Sequence, residues 1–279
     1  MQTIHTVAEL RSRLAREKTV AFVATMGNLH DGHLSLVELA RQHGTCVVVS
    51  IFVNRLQFEP GSDFDRYPRT LNEDCEKLRM AGADIVFVPD EQELYPEPQQ
   101  VIVQPPKLAQ LLEGQHRPGH FAGVATVVLK LLNIVRPTSA IFGKKDFQQL
   151  AIVREMVQQL NVPVQIIGAE TVRAADGLAL SSRNGYLSAN ERKEAARLSR
   201  HLHGIKTAVE TGRRDFAALE AAAAADLAAR GWRPDYIAVR ARTGLGDPAI
   251  GAQKLVVLGA AWLDQVRLID NVEIDAPGG

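Results

Sequence analysis

His30 and His33 stand three residues apart in the stretch Thr25-Met-Gly-Asn-Leu-His-Asp-Gly-His33, which follows an apolar run at 19–24. Imidazoles at that spacing share one face of a helix and can reach the same anion. The junction itself favours negative charge, because the first N–H groups of a helix have no partner within it and its N-terminus carries about half a positive charge. A phosphate chain suits such a place. Gly27 and Gly32 let backbone approach that chain without a Cβ in the way. Zinc competes for paired histidines, but it takes three or four ligands, and no cysteine or further carboxylate stands at ligand spacing from these two.

Two more polar clusters follow predicted strands: Gly143, Lys144, Lys145 and Asp146 with Gln149, then Leu180, Ser181, Ser182 and Arg183. Lys145 suits a mobile phosphate charge, Arg183 a forked contact and Asp146 the hydroxyls of a ribose. Gln57 and Gln149 are neutral amides, able to hold a hydroxy acid without the charge pairing that would blunt its carboxylate as a nucleophile. The chain has no Walker loop, no Gly-x-Gly-x-x-Gly after its first apolar strand, and no Ser or Cys in a nucleophile motif. Kinase and dinucleotide dehydrogenase readings weaken accordingly, and phosphate-binding histidines without a protein nucleophile suit attack by a substrate on the α-phosphorus of ATP with pyrophosphate leaving, driven by positioning and charge stabilisation.

These clusters need a frame. Strand patterns at 19–24, 45–52, 84–88, 140–142 and 164–168 alternate with helical patterns at 34–43, 70–80, 124–135 and 146–160, after a first helix opened by Thr6-Val-Ala-Glu9. That alternation predicts an α/β fold, a doubly wound parallel sheet whose ligands lie outside the carboxyl ends of its strands, so the three clusters are expected along one crevice. Short strands are also expected at 101–103 and 171–173. Beyond about Tyr186 the character changes: a second capping box, Ser188-Ala-Asn-Glu191, opens alanine-rich helices to 209 and from 215 to 230, and short strands follow at 235–240, 254–258 and 265–269. This predicts a smaller C-terminal α+β domain, with the boundary between 183 and 184.

Composition narrows the partners. Lys plus Arg and Asp plus Glu number 32 each among 279 residues, so no basic field argues for nucleic acid. The apolar run at 46–53 is far below the roughly 20 residues that cross a bilayer, and the N-terminus lacks a leader pattern, so no membrane partner and a cytoplasmic location are expected. Cys46 and Cys75 read as reduced residues without a catalytic role.

The motifs together resemble the pantothenate synthetase family, the pantoate–β-alanine ligases of coenzyme A biosynthesis. The resemblance spans nearly the whole chain and rests on 25–33, Ser50-Ile-Phe-Val-Asn54 with Gln57, Tyr67-Pro-Arg-Thr70, Arg117-Pro-Gly-His-Phe121, Lys145-Asp-Phe-Gln-Gln149 and Asp176-Gly-Leu-Ala-Leu-Ser-Ser-Arg-Asn-Gly-Tyr186. It implies a Rossmann-like N-terminal domain at 1–183 for nucleotide and pantoate, a domain at 184–279 that acts as a lid and in dimer assembly, and a homodimer. ATP and pantoate would give pantoyl adenylate, which the amine of β-alanine attacks. By the same resemblance Met26, Gly27, Asn28, Leu29, His30, Asp31, Gly32, His33, Gly143, Lys144, Lys145, Asp146, Val172, Leu180, Ser181, Ser182 and Arg183 would hold ATP. Among these His33, His30, Lys145 and Arg183 would be catalytic, with His33 the proton donor. Gln57 and Gln149 would hold pantoate, and Asp74 would touch a Mg2+ ion on the ATP phosphates. A nucleotidyltransferase that uses the same histidines and stops after moving AMP is a second reading, and Ala24, Arg55, Ala122 and Lys144, which depart from the family pattern, keep open a third, a nucleotide-binding regulatory protein with impaired ligase activity.

Overall fold

The strands at the centre of the N-terminal sheet are continuous runs of β-branched and small apolar residues, as strands covered on both faces require. The computed structural model describes residues 1–58, 64 and 67–277. Its elements run β1 (Gln2–Ile4), α1 (Val7–Leu14), β2 (Val20–Thr25), α2 (Asp31–Ala40), β3 (Cys46–Ile51), α3 (Leu71–Ala81), β4 (Ile85–Phe87), α4 (Glu91–Leu94), α5 (Glu113–His116), α6 (His120–Val135), β5 (Ser139–Gly143), α7 (Phe147–Gln159) and β6 (Gln165–Ala169). They continue α8 (Ala189–Glu194), α9 (Arg197–Glu210), α10 (Phe216–Ala229), β7 (Trp232–Ala241), β8 (Lys254–Leu263) and β9 (Val266–Asp275).

β1 to β6 form one parallel sheet of 6 strands in the order β1-β4-β3-β2-β5-β6. Alternate side chains face opposite ways along a strand. Ala21, Val23, Val47, Val49, Ile51, Val86 and Ile141 pack on one face with Leu36, Val37 and Ala40 of α2 and Leu78 of α3. α6 packs against β2 and against α1, and its Val124, Val128, Leu131 and Leu132 are buried. The chain winds outward in both directions from the β2–β5 pair, so the carboxyl ends of those two strands mark the switch point where such sheets take ligands. The expected doubly wound class is what the chain adopts.

The C-terminal sheet is antiparallel, with 3 strands in the order β7-β8-β9. Leu198, Leu202, Ile205 and Val209 of α9 and Leu219, Ala223 and Leu227 of α10 join Val239, Val257 and Val272 in one core. Leu219, Ala223 and Leu227 recur every fourth residue, the stripe that keeps this alanine-rich helix on its sheet.

Some boundaries differ from expectation. The run 101–103 is loop, not strand, because the Val103 N–H donates to the Thr126 hydroxyl at 3.0 Å instead of joining a sheet ladder. The strand expected at 171–173 reduces to an isolated bridge between Arg173 and Ala179. The helix expected from 188 to 209 breaks into α8 and α9, and each C-terminal strand is longer than expected. The chain divides into two compact units, Met1–Gly143 with Ile152–Glu170, and Lys144–Ala151 with Thr171–Gly279. The division therefore precedes the expected boundary at 183, because Leu178 belongs to the C-terminal core and Arg173 is tied to β9. Among the described residues no helix is long and apolar enough to cross a membrane.

Candidate active site

The turn after β2 is built on a buried carboxylate. Asp74, near the start of α3 and fully buried, accepts the N–H groups of Asn28 at 2.9 Å and Leu29 at 2.8 Å and the Thr70 hydroxyl at 3.1 Å. Three residues on, Lys77 donates to the Leu29 carbonyl at 2.8 Å. One face of α3 thus holds both the donors and an acceptor of the loop. Gly27 sits at φ +85°, and a Cβ there would approach the Asp74 Oδ2 and Ile51 Cγ2 atoms to 3.1 Å, so the turn admits only glycine.

Asp74, expected as a Mg2+ contact, here has both oxygens accepting loop and helix donors. Asp74→Asn keeps the shape but faces an N–H with an N–H. It is expected to cost about 1–3 kcal/mol of stability, and about tenfold in activity through the displaced loop. Thermal melting and pyrophosphate release check this.

At the end of that loop His30 caps α2. Its Nδ1 accepts the Gly32 N–H at 3.1 Å, and the His33 Nδ1 accepts the His30 N–H at 3.3 Å. Because each Nδ1 is used as an acceptor, each neutral ring carries its hydrogen on Nε2. The rings lie 4.1 Å apart, tilted by 38°. Both Nε2–H groups thus belong to one helix start, where negative charge is favoured.

Gln57 is brought to the same loop. It ends a 3-10 turn, Arg55–Gln57, and its Nε2 donates to the Met26 sulfur at 3.1 Å. The main chain there is clamped by α6: Gln57 O accepts from His120 Nδ1 at 2.9 Å, and Gly123 lies so close that a Cβ would stand 2.1 Å from the Leu56 carbonyl oxygen. Arg55, one of the departures, does not turn its charge on Gln57. It bonds Glu91 at 3.2 Å and lies over the Phe64 ring at 4.1 Å.

In the second unit β9 organises the other two clusters. Asn271 donates its amide to the carbonyls of Lys144 and Lys145, each at 2.8 Å, fixing the 3-10 turn Lys144–Asp146. The Lys144 ammonium meets Glu273 at 2.6 Å, and Lys145 stands a looser 3.8 Å from Asp146. Gln149 is half-buried, while its neighbour Gln148 is buried. Leu180 donates to the Val172 carbonyl at 3.0 Å across a hairpin, and the Ser181 hydroxyl accepts the Arg183 N–H at 3.3 Å to start the turn Ser182–Tyr186.

The hairpin is held on its far side by Arg192, which forks onto Asp176 at 2.5 and 3.2 Å and keeps that carboxyl below its ordinary 3.8. A depressed carboxyl stabilises the fold fully above its ordinary value, and that contribution is lost as pH falls through the lower folded value. Asp176→Asn is expected to lower the melting temperature slightly at neutral pH, the pair being partly exposed. The difference between variant and parent closes as pH falls through the lowered folded value, which melting curves across pH would read.

The sequence did not single out Asn54, Tyr95, His120, Arg173, Asp270 or Asn271 as individual site residues. For the last two a signal exists: Asp270 and Asn271 are adjacent polar residues inside an apolar strand, and both are buried.

A family model described as Pantoate-beta-alanine ligase matches residues 2–273. The chain is 58% identical to the pantothenate synthetase of Nitrosomonas europaea over 99% of this chain and 100% of that protein. It is 57% identical to that of Thiobacillus denitrificans, over 100% and 99%. Among solved structures it is similar to pantothenate synthetase from Thermus thermophilus, at 47% identity and TM-score 0.91, covering 98% of this chain and 99% of the other. It is also similar to the pantoate-beta-alanine ligase from Francisella tularensis complexed with beta-gamma ATP and beta-alanine, at 31% identity and TM-score 0.82, covering 98% and 97%.

Proposed function

The chain belongs to the pantoate–β-alanine ligase family, and from that premise we propose how its residues share out the ATP-dependent joining of pantoate to β-alanine. The pantoate carboxylate attacks the α-phosphorus of ATP; a P–O bond forms, the α–β bridging bond breaks and pyrophosphate leaves. The amine of β-alanine then attacks the acyl carbon of pantoyl adenylate, AMP leaves, and the amine nitrogen loses a proton. Both nucleophiles are substrates, so the protein supplies orientation, which can contribute about 7–11 kcal/mol in good cases, and fixed charge.

The paired Nε2–H donors of His30 and His33 at the start of α2 carry this reading. They point the α2 terminus at the triphosphate, and His33 gives its proton or hydrogen bond to the phosphate oxygens as charge builds. Met26, Gly27, Asn28, Leu29, Asp31, Gly32 and Gly143 line the nucleotide at the switch point. Lys144, Asp146, Val172, Leu180, Ser181 and Ser182 are assigned as further nucleotide contacts on the strength of their motifs, with Lys145 and Arg183 the cations for the leaving pyrophosphate. Gln57 and Gln149 hold pantoate through neutral amides. Magnesium would accompany the triphosphate and supply charge neutralisation there, with Asp74 its expected contact in the chain. The homodimer and the cytoplasmic location belong to the same proposal; the dimer is tested by light scattering.

Incubation with ATP, Mg2+ and pantoate, with and without β-alanine, tests the scheme. Pyrophosphate release that requires pantoate, with AMP and pantothenate appearing only after β-alanine is added, is the expected result. Release of pyrophosphate on a phosphate acceptor in place of pantoate would move the assignment to a nucleotidyltransferase. Nucleotide binding without pantoate-dependent turnover would move it to a regulatory protein.

A further inference from the structure

Gln57 is useful to a hydroxy acid only if its N–H end faces the substrate, and a carboxamide can turn over by rotation of one bond. Its environment removes that freedom. Asn54, 1% exposed, donates Nδ2 to Gln57 Oε1 at 3.1 Å and to the Gly123 carbonyl at 3.2 Å, while its Oδ1 accepts the Tyr95 hydroxyl at 2.9 Å. The Gly123 carbonyl can only accept, so the Asn54 nitrogen must face it and the Asn54 oxygen must face Tyr95. The Asn54 nitrogen in turn can only donate, so Gln57 meets it with Oε1 and turns Nε2 toward Met26.

The chain of donors starts at Tyr95, immediately after α4. Burial, with the charge of Glu91 as a second cause, pushes its hydroxyl up to about 12, so it remains a donor throughout the neutral range. Its ring lies 6.0 Å from Phe52 and under the Lys130 ammonium at 4.4 Å, contacts that aim the hydroxyl independently of Asn54. The exposed Arg55–Glu91 pair ties the turn bearing Gln57 to the helix that precedes Tyr95.

We propose that Tyr95 is a positioning residue for pantoate: acting through Asn54, its hydroxyl fixes which end of the Gln57 carboxamide faces the substrate. This deepens the assignment of Gln57 as a pantoate contact and rests on it. Without the hydroxyl, the buried Asn54 oxygen loses its donor and Asn54 tilts away from Gln57. The amide can then present oxygen instead of N–H to the pantoate carboxylate.

Tyr95→Phe, Gln57→Leu and the double variant separate the two ideas in steady-state assays of the whole enzyme. Tyr95→Phe is expected to raise the pantoate KM about threefold to tenfold, the worth of one hydrogen bond, with the ATP KM close to the parent and the melting temperature lowered by a few degrees. In the Gln57→Leu background, where no carboxamide remains to orient, the same change is expected to add less than about twofold. A raised pantoate KM in Gln57→Leu with none in Tyr95→Phe would overturn the positioning role and leave Gln57 in place. An equal effect of Tyr95→Phe in both backgrounds, or an equal rise in the ATP KM, would overturn it too. An unchanged pantoate KM in Gln57→Leu would remove the substrate assignment itself, and the proposal with it.

Discussion

Replacing His33 with alanine is expected to lower pantoate-dependent pyrophosphate release by about 10² to 10⁴-fold, the usual worth of a positioned proton donor, while leaving the protein folded. The His33 Nδ1 accepts the His30 N–H at 3.3 Å at the half-buried start of α2. Losing such a cap costs about 1 kcal/mol, far less than the activity. His33→Gln distinguishes the two contributions. An amide at this third helical position can again accept the His30 N–H, as in an ordinary capping box, so melting should return toward the parent while adenylation does not. Recovery of activity together with stability in the glutamine variant would mean that the ring serves the helix and not the phosphate. Circular dichroism melting alongside a pyrophosphate assay reads both quantities on one preparation.

The histidines were legible because their signal is local: three-residue spacing, two glycines and an apolar strand in front place them at a helix start without any long-range knowledge. The residues that hold them were less so. Asp74 is an acid in a charged helix pattern, and nothing nearby in sequence states that the fold buries it beneath Asn28 and Leu29, 46 and 45 residues away. In the sequence it reads as a Mg2+ contact; its burial and its hold on the loop appear only in the fold. The same limit explains β1, only 3 residues long, which its own periodicity could not announce; pairing with β4 makes it a strand. Conversely, Val101 and Ile102 carry β-branched side chains that suggest a strand, yet both are exposed. Propensity reports a fit to a sheet surface, and among the described residues no strand pairs with this run.

Asp270→Ala should give the largest loss of stability, about 3–5 kcal/mol, because it leaves a cation without its counter-charge in the C-terminal core. Arg173 donates to both Asp270 oxygens, at 2.6 and 2.9 Å, and also to the Gly177 and Asn271 carbonyls and the Ser199 hydroxyl. The Asp270 side chain is 4% exposed and that of Arg173 21%, so water can replace little of the lost interaction. The cost falls on the unpaired charge, so Arg173→Met in the same background should recover much of it. Function is affected as well, because the Asp270 oxygen that accepts the Asn271 N–H at 2.7 Å aligns the amide that holds Lys144 and Lys145. Arg173 likewise braces the hairpin leading to Arg183. The ATP KM should therefore rise several-fold in Asp270→Ala, with the pantoate KM changing less. If denaturant unfolding instead found the single and double variants equally unstable, the loss would be one of packing. An ATP KM equal to the parent's would separate the strand from the nucleotide clusters it is argued to hold.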